Sequence, residues 1–209
     1  MRRPHGHTQR LIRKVLGPDD MLDLTVVRTR VEETLVDDEA GTHCTVHLAV
    51  VANDGDAFEV RGEGVGLVDA VYEALMLRYA AEHPSLRTLS FDAFDVRAAC
   101  QEHGCGGSVE VTLSVRNETG RLFDFEAVGL STLGAAVMAM TGLVVYFVNA
   151  ERAFLRLHDA LSDAQQRHRP DLVEQFRNQL VDLVFDGAEY SGVLRPSDPG
   201  DRSGDASWV

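Results

Sequence analysis

The chain repeats itself at a fixed interval of 65 residues. Residues 43–75 carry a pattern that returns at 108–140. Gly55, Phe58, Glu59, Val60, Gly64 and Ala70 correspond to Gly120, Phe123, Asp124, Phe125, Gly129 and Ala135. Val46, Leu48 and Val50 correspond to Val111, Leu113 and Val115, and further upstream Leu24 and Val31 correspond to Leu89 and Val96. One offset that aligns turn, strand and helix signals together implies a supersecondary unit duplicated inside a single domain. Such a duplication supplies two equivalent faces, and ligand sites or dimer seams can lie between them.

Each unit reads as strand, strand, strand, helix. Residues 22–35 are rich in Val and Thr, as strands prefer. Residues 44–52 alternate Val46, Leu48 and Val50 with other side chains, and Asn53-Asp54-Gly55 is a hairpin turn signal. Residues 57–62 return as the hairpin partner. Gly62, Gly64 and Gly66 then end the strand, and 67–81 has helical spacing, with Val68, Val71, Leu75 and Tyr79 on one face. After Pro84 the second unit predicts strands at 86–98, 106–116 and 122–128 and a helix at 132–150.

The expected fold is therefore α+β: two pseudo-symmetric β-β-β-α units, 21–83 and 85–150, with helices covering one face of the sheets. A C-terminal helical extension is expected over 151–187. Its second helix, 171–185, aligns Leu172, Phe176, Leu180 and Leu183. Residues 1–20 read as a basic, solvated arm with a short amphipathic piece, 11–16, that stops at Gly17-Pro18. Residues 188–209, rich in Pro, Ser, Asp and Gly, read as a disordered tail.

The net charge of −13 over 209 residues argues against binding a phosphate backbone or an anionic membrane surface. The cluster Arg2, Arg3, Arg10, Arg13 and Lys14 is the exception. It reads as part of the solvated arm rather than as a nucleic-acid tether. Residues 127–150 hold no charged side chain and are long enough to span a bilayer. Gly129, Ser131, Thr132, Gly134, Thr141, Gly142 and Asn149 interrupt that stretch, so a helix buried on nearly all sides is the preferred reading. Met1 is followed by charge rather than by an apolar run, and the cysteine count, three, is odd. Free thiols in a cytoplasmic protein are the expectation.

Gly62, Gly64 and Gly66 precede a helix, where backbone N–H groups can receive a ligand carboxylate. The competing reading is a tight strand-to-helix turn. Asp69, in the first turn of that helix, either receives a ligand ammonium or complements the helix dipole. Gly129, Ser131 and Thr132 hold the equivalent place in the second unit, where Ser131 is also a natural N-cap. His43, Cys44 and His47, with Cys100, His103 and Cys105, offer a weaker metal alternative. Alternation along a strand puts Cys44 on the face opposite His43 and His47, which counts against it. No cofactor is expected, and no nucleophile–base pair can be argued.

The segment 62–75, Gly-Glu-Gly-Val-Gly-Leu-Val-Asp-Ala-Val-Tyr-Glu-Ala-Leu, resembles the G-x-G-x-V-D-A-x-x-x-A-L signature of the C-terminal regulatory domain of 2-isopropylmalate and citramalate synthases. Val128-Gly-Leu-Ser-Thr132 is similar to the V-G-x-S stretch that opens the second helix there. The resemblance covers roughly 22–150. It implies a pseudo-symmetric fold that dimerises and binds leucine or isoleucine near the dimer interface. In that family the domain follows a TIM-barrel catalytic domain. The resemblance here implies a free-standing sensor and homodimer, more a regulator than an enzyme, acting in trans on a separate barrel-type acyltransferase. Leu133 and Ala136-Val137-Met138 stand where relatives carry polar residues. The second half is thus expected to take a more apolar ligand or none. The alternatives are the same fold recruited as an enzyme of specialised metabolism, and a purely structural dimerisation scaffold.

Overall fold

A computed structural model of the protein describes residues 5–34, 42–53, 55–98 and 107–186. Its elements, in chain order, are α1 (His5–Asp20), β1 (Leu24–Thr34), β2 (His43–Ala52), β3 (Ala57–Gly64) and α2 (Leu67–Tyr79). A short 3-10 turn, Pro84–Thr88, leads into β4 (Ser90–Ala98), β5 (Val109–Arg116), β6 (Leu122–Gly129), α3 (Thr132–Gln166) and α4 (Pro170–Asp186). The architecture is α+β, with two three-stranded antiparallel sheets, β1-β2-β3 and β4-β5-β6.

The 65-residue interval persists in the backbone. Strands β3 and β6 begin and end at matching positions, and α2 and α3 start at matching positions. Pairing registers match as well: Val26 faces Val50 as Phe91 faces Val115, and Val46 faces Gly62 as Val111 faces Ala127. Even the irregularity recurs, with a register shift between Val26 and Arg28 in β1 and between Phe91 and Ala93 in β4. A bulge at the same place bends both edge strands alike.

Alternation sets the inner faces. Val46, Leu48 and Val50 of β2 are fully buried, as are Val111 and Val115 of β5, with Leu113 nearly so. Helix α2 covers β2 and β3, while α3 covers β5 and β6 and also reaches β1. The apolar stretch foreseen as a buried helix is the first part of α3. It is long and apolar enough to cross a membrane, yet 72 % of its most apolar window is buried within the protein. The helix runs on unbroken past residue 150 to Gln166, through the first part of the helical extension expected from 151.

The basic arm differs from expectation. Residues 5–20 form α1, kinked at Gly17, which has a φ of 71°. Thr8, Ile12 and Leu16, one helical stripe, are buried against α3 and α4. The charges that suggested a solvated arm lie on the outer face, where Arg10, Arg13 and Lys14 are exposed. Arg156 of α3 donates to the Leu16 carbonyl at 3.2 Å and pairs with Asp20, and Arg152 donates to the Asp20 carbonyl at 3.3 Å. Those guanidinium groups satisfy the open carbonyls at the helix C-terminus.

Gly62 shows why one of the motif glycines is required. A Cβ there would lie 2.1 Å from the Ala70 carbonyl oxygen and 2.4 Å from the Ala74 backbone nitrogen. The strand and α2 thus touch backbone to backbone. At Gly66 an added methyl would meet nothing within 4 Å, and the extended φ of −165° is one that any residue adopts. Gly62→Ala is therefore expected to destabilise the protein by about 3 kcal/mol or more, and Gly66→Ala by less than about 1 kcal/mol. Guanidinium unfolding of the two variants checks this, and equal costs would refute the backbone contact.

Candidate ligand-binding site

The motif residues at the start of α2 are engaged with one another. A Cβ on Gly64 would lie 2.5 Å from Asp69 Oδ2 and 2.7 Å from the Ala70 nitrogen. Asp69 Oδ2 accepts from the Val65 N–H at 3.2 Å, reaching back over the helix start, and the Glu73 carboxylate accepts from the Glu63 N–H. These carboxylates tie the end of β3 and the turn that follows it to α2, while the N-cap residue, Gly66, takes no side-chain cap. In the second unit, Ser131 is the N-cap of α3 and its hydroxyl accepts from the Gly134 N–H at 3.3 Å. Thr132 opens the helix and is exposed. A Cβ on Gly129 would meet Ala135 at 3.5 Å, an ordinary contact. Ala127 stands where the first unit has Gly62. Helix α3 therefore stands farther off its strand than α2 does.

That stand-off accompanies a difference between two otherwise equivalent grooves. Each groove lies between the edge strand of one unit and the helix of the other. Between β4 and α2 the groove is filled: the Tyr72 and Phe91 rings meet edge-on with centroids 4.7 Å apart. Burial raises the Tyr72 phenol above its usual pKa. Between β1 and α3 the groove is open, with a cavity of about 490 Å3. Val137, Thr141 and Gly142 line it at the positions where α2 carries Tyr72, Met76 and the exposed Leu77. On the strand side, Val26 replaces Phe91 and Thr29 replaces Phe94. Five larger side chains give way to smaller ones at matching positions. The size is that of a small-molecule pocket.

The sequence reading placed its candidates at the two helix starts, Gly129, Ser131 and Thr132 just before the cavity wall and the others at the start of α2. None of Gly62, Gly64, Gly66, Asp69, Gly129, Ser131 and Thr132 lines this cavity, whose nearest wall residue is Gly134. Asp23 lines it and, among the described residues, is the only ionisable side chain to do so. The missed signal was available at the 65-residue offset, in the change from large to small side chains. A more open hollow of about 660 Å3 surrounds the turn between α3 and α4, walled by exposed side chains such as Arg169 and Glu174 of a single helical hairpin.

Two buried polar clamps hold α3 to the rest of the chain. Asn149 of α3 accepts from the Leu22 N–H at 2.7 Å and donates to the Leu22 carbonyl at 2.8 Å. It fixes the chain just before Asp23. Glu151, also buried, accepts from the Ser85 N–H at 2.9 Å and lies 3.2 Å from His83 Nδ1. It ties the connection between the two units to the same helix. In the sequence Asn149 reads only as an interruption of the apolar stretch, and Glu151 carries no signal.

His43 is exposed, His47 half-buried and Cys44 fully buried. Burial, helped by the nearby Glu33 carboxylate, raises the Cys44 thiol above its usual pKa. A protonated, enclosed thiol is a poor metal ligand. Cys100, His103 and Cys105 lie outside the described residues. Among the described residues, no group of three or more His, Cys, Asp or Glu is placed to hold a metal ion.

No protein-family model matches the chain, and no curated protein matches it.

Removing the Asn149 amide leaves the Leu22 N–H and carbonyl buried without partners, at a cost of roughly 1–3 kcal/mol for each unsatisfied group. Asn149→Ala is expected to lower unfolding stability by about 3 kcal/mol. Urea titration measures this, and a loss below about 1 kcal/mol would mean that water replaces the clamp.

Proposed function

We propose that this protein is a small-molecule-binding and dimerisation module whose ligand occupies the cavity between β1 and α3. The observation that carries the reading is the inequality of the two grooves. The repeat keeps its register, bulge and helix starts, yet one groove is plugged by Tyr72 and Phe91 and the other is left open. An unfilled apolar groove forgoes dispersion contacts and burial, so an occupant that restores them binds favourably. The resemblance to the regulatory domain of 2-isopropylmalate synthases supports a branched-chain amino acid or a related small compound as ligand. It also supports a separate barrel-type acyltransferase as the regulated partner in trans, and a cytoplasmic setting. The enzyme alternative draws little from the cavity, because a lone Asp23 provides no acid–base pair.

Dimerisation is supported by β4. Every residue of this edge strand is exposed. Beyond Phe91, which packs on Tyr72, Phe94 and Val96 lie on the core-facing side, opposite Leu113 and Val111, yet are 39 and 44 % exposed. An edge strand with an uncovered apolar face is a template for pairing. The occupant proposed is a second copy. Antiparallel pairing of two β4 strands about Val96 sets Asp95 of each copy opposite Arg97 of the other, on the outer face. It also joins the two second-unit sheets into one. Neither Asp95 nor Arg97 has a hydrogen-bond or ion-pair partner among the described residues.

A thermal-shift panel of amino acids and 2-oxo and 2-hydroxy acids tests the binding half. A ligand selective for the native state raises the melting temperature with concentration. A flat response across that panel, across neutral apolar compounds and across hydrophobic amines would remove the reading. Light scattering at micromolar concentration tests the seam. Asp95→Arg is expected to give a monomer, and adding Arg97→Asp to restore the dimer. A wild-type monomer, or a dimer indifferent to both changes, would refute it.

A further inference from the structure

We infer that the cavity between β1 and α3 selects hydrophobic primary amines, with an aromatic or branched aliphatic body, over free carboxylic acids and unmodified amino acids. The inference rests on the reading of that cavity as a ligand site and specifies the head group it recognises.

The filled groove acts as a template for the body. Its equivalent space holds the Tyr72 ring against Phe91, so the open groove has room for at least one ring or branched chain of that size. The lining offers nothing that would reject such a body: Val26, Val137 and Val145 are apolar, and Gly142 leaves the helix surface flat. The Thr141 hydroxyl already donates to the Val137 carbonyl at 2.7 Å, so it does not compete for the ligand as a donor.

The head group follows from charge. Among the described residues Asp23 is the only charged side chain in the lining, and no Arg, Lys or His accompanies it. The Asp23 backbone is engaged on both sides, its N–H donating to Asn53 Oδ1 at 2.7 Å and its carbonyl accepting from the Asn53 N–H at 3.1 Å. Its carboxylate has no hydrogen-bond or ion-pair partner among the described residues. Asp23 thus lines the cavity on a fixed backbone, is exposed, and leaves its carboxylate to receive an ammonium group. A ligand carboxylate meets the opposite conditions. It finds no cation in the lining, a like charge in Asp23 and a protein of net charge −13. An amino acid carries both groups and loses at its carboxylate what it gains at its ammonium. Its amide, or the amine lacking the carboxyl group, keeps only the favourable part.

The test compares ligands that share a body and differ in head group. Isothermal titration of the full chain is made with leucine, leucinamide, isopentylamine and 4-methylpentanoate, and with phenylalanine and phenethylamine. 2-Phenylethanol serves as the neutral control. The amines and the amide are expected to bind at least about tenfold more tightly than the parent amino acids, with the carboxylate weakest. Asp23→Asn should weaken phenethylamine by about tenfold and leave 2-phenylethanol within about twofold. Val137→Tyr combined with Val26→Phe copies the filled groove and should abolish binding of every compound while keeping or raising the melting temperature. Should the double variant fail to fold, the Asp23→Asn comparison still decides. Leucine binding better than its amide and amine would overturn the inference and leave the binding reading intact. Binding of amines that is insensitive to Asp23→Asn would also overturn the head-group assignment. A panel in which nothing binds would overturn both.

Discussion

Helix α3 is the constraint on which the other elements depend. At 35 residues it is roughly 50 Å long, more than its own unit needs. Its first half forms the core of the second unit, where the rings of Phe123, Phe125, Tyr146 and Phe147 pack together. The same stretch faces β1 of the first unit across the cavity. Farther along, Asn149 holds Leu22, Glu151 holds the connection between units, and Arg152 and Arg156 hold the end of α1. The helix is continuous because no Pro or unpaired break interrupts it, and its burial on several sides offsets the cost of ordering so long an element. Two sheets that share no hydrogen-bonded edge thus become one body through side chains of one helix.

Duplication explains how the cavity arose without disturbing the fold. The backbone contact at Gly62 draws α2 onto β3, and Ala127 at the matching position keeps α3 off β6. The displaced helix changes how the groove on its far side closes. In one groove, aromatic side chains fill the space. In the other, Val26, Thr29, Val137, Thr141 and Gly142 leave it open. Register, bulge and turn geometry belong to the backbone and are shared by both units. Filling belongs to side chains and diverged between them.

Most of the fold was legible because it is carried by local periodicity that occurs twice. The inner strands and the helices of the repeat were visible in alternation or helical spacing, and the edge strand β1 in its Val and Thr content. What was not legible depends on distance. The stripe Thr8, Ile12 and Leu16 gains its meaning only from the surfaces of α3 and α4, and the charges of Arg10, Arg13 and Lys14 masked it. The glycines before α2 read equally well as a turn or as an anion cradle. The close approach of Ala70 and Ala74 to Gly62, and of Asp69 to Gly64, gives these two a packing role. Asn149 and Glu151 lie on a helix that reads as apolar, and their partners are 127 and 66 residues away in sequence. The cavity itself was written in the comparison of Tyr72 with Val137 and Phe91 with Val26, a contrast of volumes that a search for shared residues passes over.

An open groove inside a small domain persists only if its walls cannot close on it. Cavities in cores relax partly by collapse, and the extent of relaxation sets their cost. Here each wall is fixed by something outside the groove. Strand β1 is held along its length by β2 and at its start by Asn149 and Asn53. Helix α3 is held by the ring cluster on sheet β4-β5-β6. Closing the gap would break the Leu22 clamp or pull α3 from its own sheet, and either loss exceeds what a few new methyl contacts return. The walls are therefore preorganised, and an occupant need not order them. Met138, 57 % exposed in the wall, carries a long and flexible side chain. Adaptation to ligand shape is thus concentrated at Met138, while β1 and the glycine-flattened face of α3 stay fixed.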